Sequence, residues 1–247
     1  MESKTPLQHK NRLDVEMHAR RIVRSRSAAA DLIKRGKVSV NGAVATKPSL
    51  EVSPSDAIDM AGGATFVSRA GEKLAHALSS FKIDVADMTA LDVGSSTGGF
   101  TDCLLKNGAK KVVAIDVGTD QMDASLRSDP RVEIREGVDI RDASLDSPAD
   151  MATVDLSFIS VEHALPKVYT LIKKGGHVVV LVKPQFEVGK EITDKHKGII
   201  TDESERKQAL DRVIASAKKI GFSVKGQTDS PIEGEKGNRE FLLYLTK

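Results

Sequence analysis

From residue 89 onward the apolar positions fall into short runs rich in β-branched residues, separated by stretches with helical spacing. The runs at 90–93, 111–116, 131–135, 151–156, 177–183, 222–228 and 240–246 predict seven strands. Helices are expected at 99–107, 121–127, 161–172 and 202–220, with another at 70–80 ahead of the first strand. Strand and helix alternating in this way predict an α/β fold, a largely parallel sheet with helices on both faces. The last two strands follow each other without a helix. The polar stretch 184–203 reads as a long loop of the size used for lids and binding loops. Its Lys190, Lys195 and Lys197 are candidates for phosphate contact, with a solvated loop as the plainer alternative.

The first sixty residues follow a different pattern. Residues 12–25 predict a helix with Leu13, Met17 and Ile22 on its apolar face. Ser25 or Ser27 can cap a second helix, with Ala28, Ala29, Ala30, Leu32 and Ile33 on its inner side. Gly36 stands where a helix-terminating glycine belongs. A strand at 37–40, the hairpin pair Asn41-Gly42 and a return strand from Val44 follow, and 56–60 supply one more strand after Pro54. The run Ala61-Gly62-Gly63-Ala64 reads as a flexible joint. The expected organisation is a small α+β domain over 1–60, a linker over 61–67 and the α/β body over 68–247.

Charge sharpens this division. Residues 1–47 carry 11 Lys and Arg against 4 Asp and Glu, a net +7, whereas the remainder carries 26 against 31, a net −5. A basic end on a mildly acidic body suits a polyanion-binding module beside a catalytic one. Arg20, Arg24, Arg26, Lys34, Arg35 and Lys37, with Arg21, cluster on the two helices and their exit. The ordered run from Ser25 through Leu32-Ile33-Lys34-Arg35-Gly36-Lys37 to Asn41-Gly42 resembles the small RNA-binding fold of the S-four type. The resemblance spans about 11–60 and implies that the six cations Arg20, Arg24, Arg26, Lys34, Arg35 and Lys37 face RNA.

The remaining composition narrows the class. Apolar runs such as 178–182 are far shorter than the roughly 20 residues of a membrane span. Residues 1–10 lack the apolar core of a secretory leader, and a single cysteine, Cys103, allows no internal disulfide, so a cytoplasmic location is expected. Six histidines lack paired ligand spacing, so no metal is expected; Cys103 reads as core.

The candidate chemistry lies at the carboxyl ends of the predicted strands, where open α/β sheets bind ligands. The first strand ends in Asp92-Val93-Gly94-Ser95-Ser96-Thr97-Gly98-Gly99-Phe100, small residues running into a helix start whose free N–H groups suit an anion. Asp116 ends the second strand, 22 residues beyond Gly94, where a carboxylate can accept from ribose hydroxyls. Ser96 occupies the position at which a dinucleotide-binding turn needs glycine for the pyrophosphate, so the turn suits the carboxylate of S-adenosylmethionine instead. Asp139 is an adenine-side candidate, though by itself it reads as a cap aspartate. Asp155 and Lys183 lie at the same edge, Glu240 opens a final strand that meets that edge if it runs antiparallel, and Lys73 on the preceding helix makes a fourth.

Five ordered segments carry a family resemblance: Ser68-Arg69-Ala70-Gly71-Glu72-Lys73-Leu74, the turn 92–100, Asp155-Leu156-Ser157-Phe158-Ile159-Ser160, Val182-Lys183-Pro184-Gln185-Phe186-Glu187 and Gly237-Asn238-Arg239-Glu240-Phe241. Together they resemble the TlyA family of FtsJ-type ribose 2′-O-methyltransferases, proteins that also carry a haemolysin label. The resemblance implies a Rossmann-like class I methyltransferase sheet of seven strands with the last antiparallel. It also implies S-adenosylmethionine as methyl donor, and the cytidine ribose of ribosomal RNA or ribosomal subunits as target. Its Lys-Asp-Lys-Glu tetrad falls on Lys73, Asp155, Lys183 and Glu240, with Lys183 acting on the hydroxyl as base if neutral or as orienting donor if charged. The expected cofactor set is Asp92, Gly94, Ser96, Gly98, Gly99, Phe100, Asp116 and Asp139. The turn reads Ser-Ser-Thr where FtsJ relatives carry Ala-Ala-Pro, which bears on the details of cofactor contact. A cytolysin, or an RNA-binding factor using the fold as a scaffold, are the alternatives. The first lacks an apolar or strongly amphipathic segment, and the complete tetrad argues against the second.

Overall fold

The computed structural model describes residues 10–23, 25–60, 66–234 and 236–247. Arg24 and the joint 61–64 therefore lie outside the described residues. The chain divides into two compact units, 1–65 and 66–247.

In the first unit β1 (Asn11–Arg12) leads into α1 (Leu13–Ala19), followed by α2 (Arg26–Lys34), β2 (Val38–Val40), β3 (Ala43–Ala45), β4 (Glu51–Val52) and β5 (Ile58–Met60). Leu13, Met17, Ala29, Ile33, Val38, Ala45 and Val52 form its core. Ser25 caps α2, its hydroxyl accepting from the Ala28 N–H at 3.2 Å. Asn41 and Gly42 both adopt positive φ, 51° and 83°, the geometry of a tight primed hairpin turn between β2 and β3. The first helix is shorter than its apolar spacing predicts. Arg21 turns left-handed at φ 59°, the Ile22 N–H donates to the Met17 carbonyl and the Arg21 N–H to that of His18. That pair of bonds closes a helix end without the usual glycine, so no residue type announces the stop.

The second unit begins with α3 (Ala70–Phe81) and then runs β6 (Thr89–Val93), α4 (Gly99–Lys106), β7 (Lys111–Asp116), α5 (Ala124–Arg127), β8 (Val132–Glu136) and β9 (Ala149–Val154). It continues with α6 (Leu165–Leu171), β10 (Ile172–Val182), α7 (Pro184–Glu187), α8 (Lys190–Lys195), α9 (Glu203–Ile220), β11 (Ser223–Asp229) and β12 (Phe241–Thr246). The seven strands form one sheet in the order β11-β12-β10-β9-β6-β7-β8, parallel except β12, which is antiparallel to both neighbours. Valines 178, 179, 180 and 182 with Leu181 make β10 apolar on both faces, as a strand covered on both sides requires. One core lies beneath α6 and α9, the other beneath α3 and α4. Cys103 belongs to the second, where burial pushes its thiol up to about 12.

The stretch 184–203 is not the open loop its polarity suggests. It holds α7 and α8, and Val188, Ile200 and Ala209 with Ile192 form a small core of their own under it. Helices of four and six residues are too short to leave a periodic signature.

Candidate functional site

The polar side chains predicted for the sheet edge meet in two pairs. Asp155 follows β9 and Lys183 follows β10, adjacent parallel strands, and Lys183 Nζ stands 2.6 Å from Asp155 Oδ1. The same ammonium donates to Ser157 Oγ at 2.9 Å. Glu240 precedes β12, whose first residue, Phe241, pairs with Val182, so Glu240 emerges beside Lys183 along the edge. Glu240 is only 3% exposed and accepts from Lys73 Nζ of α3 at 2.5 Å. The reversed direction of β12 is what puts its start, rather than its end, at this edge. Each ammonium is thus held by one carboxylate, an arrangement that fixes both lysines in place.

The turn after β6 lies against this group. The Asp155 N–H donates to the Val93 carbonyl at 2.9 Å, and a Cβ on Gly94, at φ +79°, would overlap the Asp155 carbonyl oxygen. A Cβ on Gly99 would strike the Ser68 hydroxyl and crowd the start of α3, which carries Lys73. The glycines therefore serve close approach between the turn and the segments that bear the tetrad.

Asp116 ends β7 as expected and organises the turn. Its Oδ2 accepts from the Ser96 N–H and its Oδ1 from the Gly118 N–H, each at 2.7 Å, leaving each oxygen a further lone pair. Exposed Ser96 sits at φ 44° and donates through its hydroxyl to Gln121 Oε1 at 3.0 Å. Next to Asp116, Val117 is 70% exposed, an apolar surface beside a carboxylate that sequence reasoning passed over.

Three expected cofactor residues have side chains engaged within the chain itself. Asp92 is fully buried, its oxygens accepting from Thr101 Oγ1 at 2.7 Å and Thr153 Oγ1 at 2.8 Å, and burial lifts its carboxyl to about 6. It lies beneath the turn and braces it. Phe100 is 2% exposed and packs in the core under α4, so only its backbone borders the turn. Asp139 caps the 3-10 turn Ile140–Asp142, accepting from the Arg141 N–H, and the Arg141 guanidinium holds its carboxyl down at about 2.

In the first unit one cation expected to face RNA is engaged within the chain. Arg20 donates to Glu16 Oε1 at 2.8 Å and to the carbonyls of Asp56, Ser53 and Pro54 at 2.7, 3.0 and 3.1 Å. Its guanidinium bolts α1 to the 53–56 turn with four of its five N–H groups. Arg35 is partly buried, 3.5 Å from Asp31. Arg26, Lys34 and Lys37 are exposed.

Sequence reasoning also missed Phe158. It follows the Asp155 segment, is 89% exposed and adopts φ 69°, its ring 5.5 Å from that of Phe186. A bulky aromatic that is both exposed and left-handed is unusual, and such outliers gather at functional sites. The signal was an aromatic directly after a polar strand end.

Residues 66–247 match the FtsJ-like methyltransferase family and residues 11–58 match the S4 domain. The 16S/23S rRNA (cytidine-2′-O)-methyltransferase TlyA of Mycobacterium tuberculosis is 40% identical, with 95% of this chain and 89% of that protein covered. Hemolysin A of Brachyspira hyodysenteriae is also 40% identical, with 95% and 99% covered. A solved structure from Streptococcus thermophilus, provisionally described as a haemolysin, superposes with a TM-score of 0.76 at 40% identity over 98% of this chain and 90% of that one.

Proposed function

The chain belongs to the FtsJ-like methyltransferase family, and from that premise we propose that it methylates the ribose 2′-hydroxyl of cytidine in ribosomal RNA, using S-adenosylmethionine, in the cytoplasm. The observation that carries this reading is the pairing of Lys183 with Asp155 and of Lys73 with Glu240 beside the turn at 94–98. The donor set fits the cofactor. A turn of small residues gives an anion access to backbone, Asp116 keeps free lone pairs for ribose hydroxyls, and Val117 offers an apolar face to a base. When bound, S-adenosylmethionine supplies an already activated methyl group on a sulfonium.

The chain's own work is then mostly positioning. Lys183 Nζ forms an ion pair with Asp155 and a hydrogen bond to Ser157, leaving a further direction for the incoming 2′-hydroxyl, which it orients or relieves of its proton. Holding two reactants in line is worth up to about 7–11 kcal/mol, and proton removal by a placed group adds roughly 10²–10⁴-fold. Lys73 and Glu240 complete the rim. Phe158 presents a free ring on which an unstacked base can lie, the usual means of holding a nucleotide displaced from its helix. In the first unit Arg26, Lys34 and Lys37 offer exposed cations to phosphates.

The test is a nucleotide-resolution map of ribose methylation in ribosomal RNA from cells with and without the gene, repeated with purified protein and S-adenosylmethionine on the unmethylated subunits. One or more cytidines should gain 2′-O-methylation only when the protein is present. A methyl group on a base, or none at all, would overturn the reading. The haemolysin names of relatives suggest membrane lysis as a second reading; among the described residues no helix is long and apolar enough to cross a membrane.

A further inference from the structure

We infer that Glu187, outside the lysine–carboxylate pairs, is a positioning residue that locks the segment bearing Ser157 and Phe158 against the segment bearing Lys183. The inference rests on the proposed methylation of RNA at that edge, and deepens it.

Two stretches of chain leave the neighbouring strands β9 and β10 side by side, 155–160 and 183–187. They are tied at both ends. At the strand ends, Lys183 stands 2.6 Å from Asp155 and donates to Ser157 at 2.9 Å. At the far end, Ser160 Oγ donates to Glu187 Oε2 at 2.5 Å and the Val161 N–H donates to Glu187 Oε1 at 3.0 Å. Between the ties lie the two rings, Phe158 and Phe186.

Glu187 is 3% exposed, and burial raises its carboxyl above the ordinary range. An apolar residue would fill the space without that desolvation cost, so the carboxylate has to be explained by what it holds. It grips a hydroxyl and a backbone N–H of one short turn with its two oxygens. Its own carbonyl accepts from Arg212 Nη1 of α9 at 2.7 Å, which fixes the clamp to the body.

Phe158 needs such a clamp. At 89% exposure its ring packs against little protein beside the tilted Phe186 ring, so its position is set largely by the backbone of its own segment. That backbone is anchored on one side where the Asp155 N–H meets the Val93 carbonyl and on the other by Glu187. Removing the second anchor frees the ring while leaving the first anchor and the Asp116 turn in place.

The chain contains no tryptophan, so Phe158→Trp provides a single reporter at the ring. In that background Glu187→Ala should lower the fluorescence anisotropy of the tryptophan, and Glu187→Gln, which keeps an acceptor for Val161 and an amide for Ser160, should restore it. With Phe158 in place, Glu187→Ala should slow single-turnover RNA methylation by about tenfold, with S-adenosylmethionine affinity within about twofold of wild type, and Glu187→Gln should recover most of the rate. Adding Glu187→Ala to Phe158→Ala should cost little more than Phe158→Ala alone, because coupled residues are not additive. Unchanged anisotropy, or losses that multiply in the double variant, would overturn the inference. Should Glu187→Ala fail to fold, Ser160→Ala removes one half of the clamp and is read the same way, with the same two outcomes. A wild-type protein that methylates no RNA, alongside a clear anisotropy change, would remove the proposed reaction and leave the clamp standing.

Discussion

Lys183 Nζ lies 2.6 Å from Asp155 Oδ1 across the ends of two adjacent parallel strands, although the two residues are 28 positions apart in sequence. The sheet itself brings this ammonium and this carboxylate together. We expect Lys183→Ala to abolish methyl transfer while S-adenosylmethionine still binds with near wild-type affinity. Lys183→Arg should not rescue, since a planar guanidinium neither fits the Asp155–Ser157 cradle nor gives up its proton. Single-turnover methylation beside calorimetric titration of the cofactor checks both parts, and near-normal turnover by Lys183→Ala would remove the residue from the mechanism.

Asp116 organises the turn, and on the proposed reading it also holds the cofactor ribose. Asp116→Ala should lower S-adenosylmethionine affinity by roughly 1–3 kcal/mol, through lost ribose contacts and through release of the Ser96 and Gly118 N–H groups. Asp116→Asn keeps an acceptor for only one of those two N–H groups and should fall between. Calorimetry on folded variants decides, and an unchanged dissociation constant for Asp116→Ala would refute the assignment.

Asp92 makes a prediction about pH. Its folded carboxyl sits at about 6 because of burial, whereas an unfolded aspartate titrates near about 3.9. The folded protein therefore holds the extra proton between these values. The contribution of Asp92 to stability is fully present below about pH 4 and is lost as pH rises through about 6, by about 3 kcal/mol at most. Asp92→Asn, neutral throughout, should gain on wild type by that order between pH 4 and pH 7. Denaturant unfolding of both proteins across the range measures it; a difference that does not move with pH would mean the carboxyl ionises normally.

Arg20 and the exposed cations should separate cleanly. Arg20→Ala should destabilise the first unit by roughly 1–3 kcal/mol, since three carbonyls and a carboxylate lose their donor. Replacing Arg26, Lys34 and Lys37 together by Ala should leave thermal stability nearly unchanged, weaken RNA binding and flatten its salt dependence. S-adenosylmethionine affinity should stay constant in all of these. If the triple variant binds RNA with an unaltered salt slope, the phosphate contacts lie elsewhere.

Much of the body was legible because its signals are local. The strands expected at 111–116 and 240–246 are β7 and, from Phe241, β12, and Asp155, Lys183 and Glu240 were read from strand ends, with Lys73 on the preceding helix and the family resemblance completing the tetrad. What sequence could not reach depends on distant partners. Arg20 reads as one cation among several until the 53–56 carbonyls are seen to claim it. Asp92 reads as part of a ligand turn until Thr101 and Thr153 are seen to cover it. Phe158 looks like any core aromatic, since exposure is a property of the fold and not of the residue.

The place of β12 in the sheet has a bearing on how the protein is made. Synthesis runs from the N-terminus, so β10 and β11 exist before the strand that must slot between them and bring Glu240 to Lys73. Until then β10 has an open edge of apolar residues, the kind of surface that recruits other chains. A nascent chain therefore lacks the complete site, because one of its carboxylates has not yet been translated. A frameshift or proteolytic cut upstream of Glu240 should yield a sticky product rather than a quietly inactive one, and quality control would be expected to meet it as an aggregate.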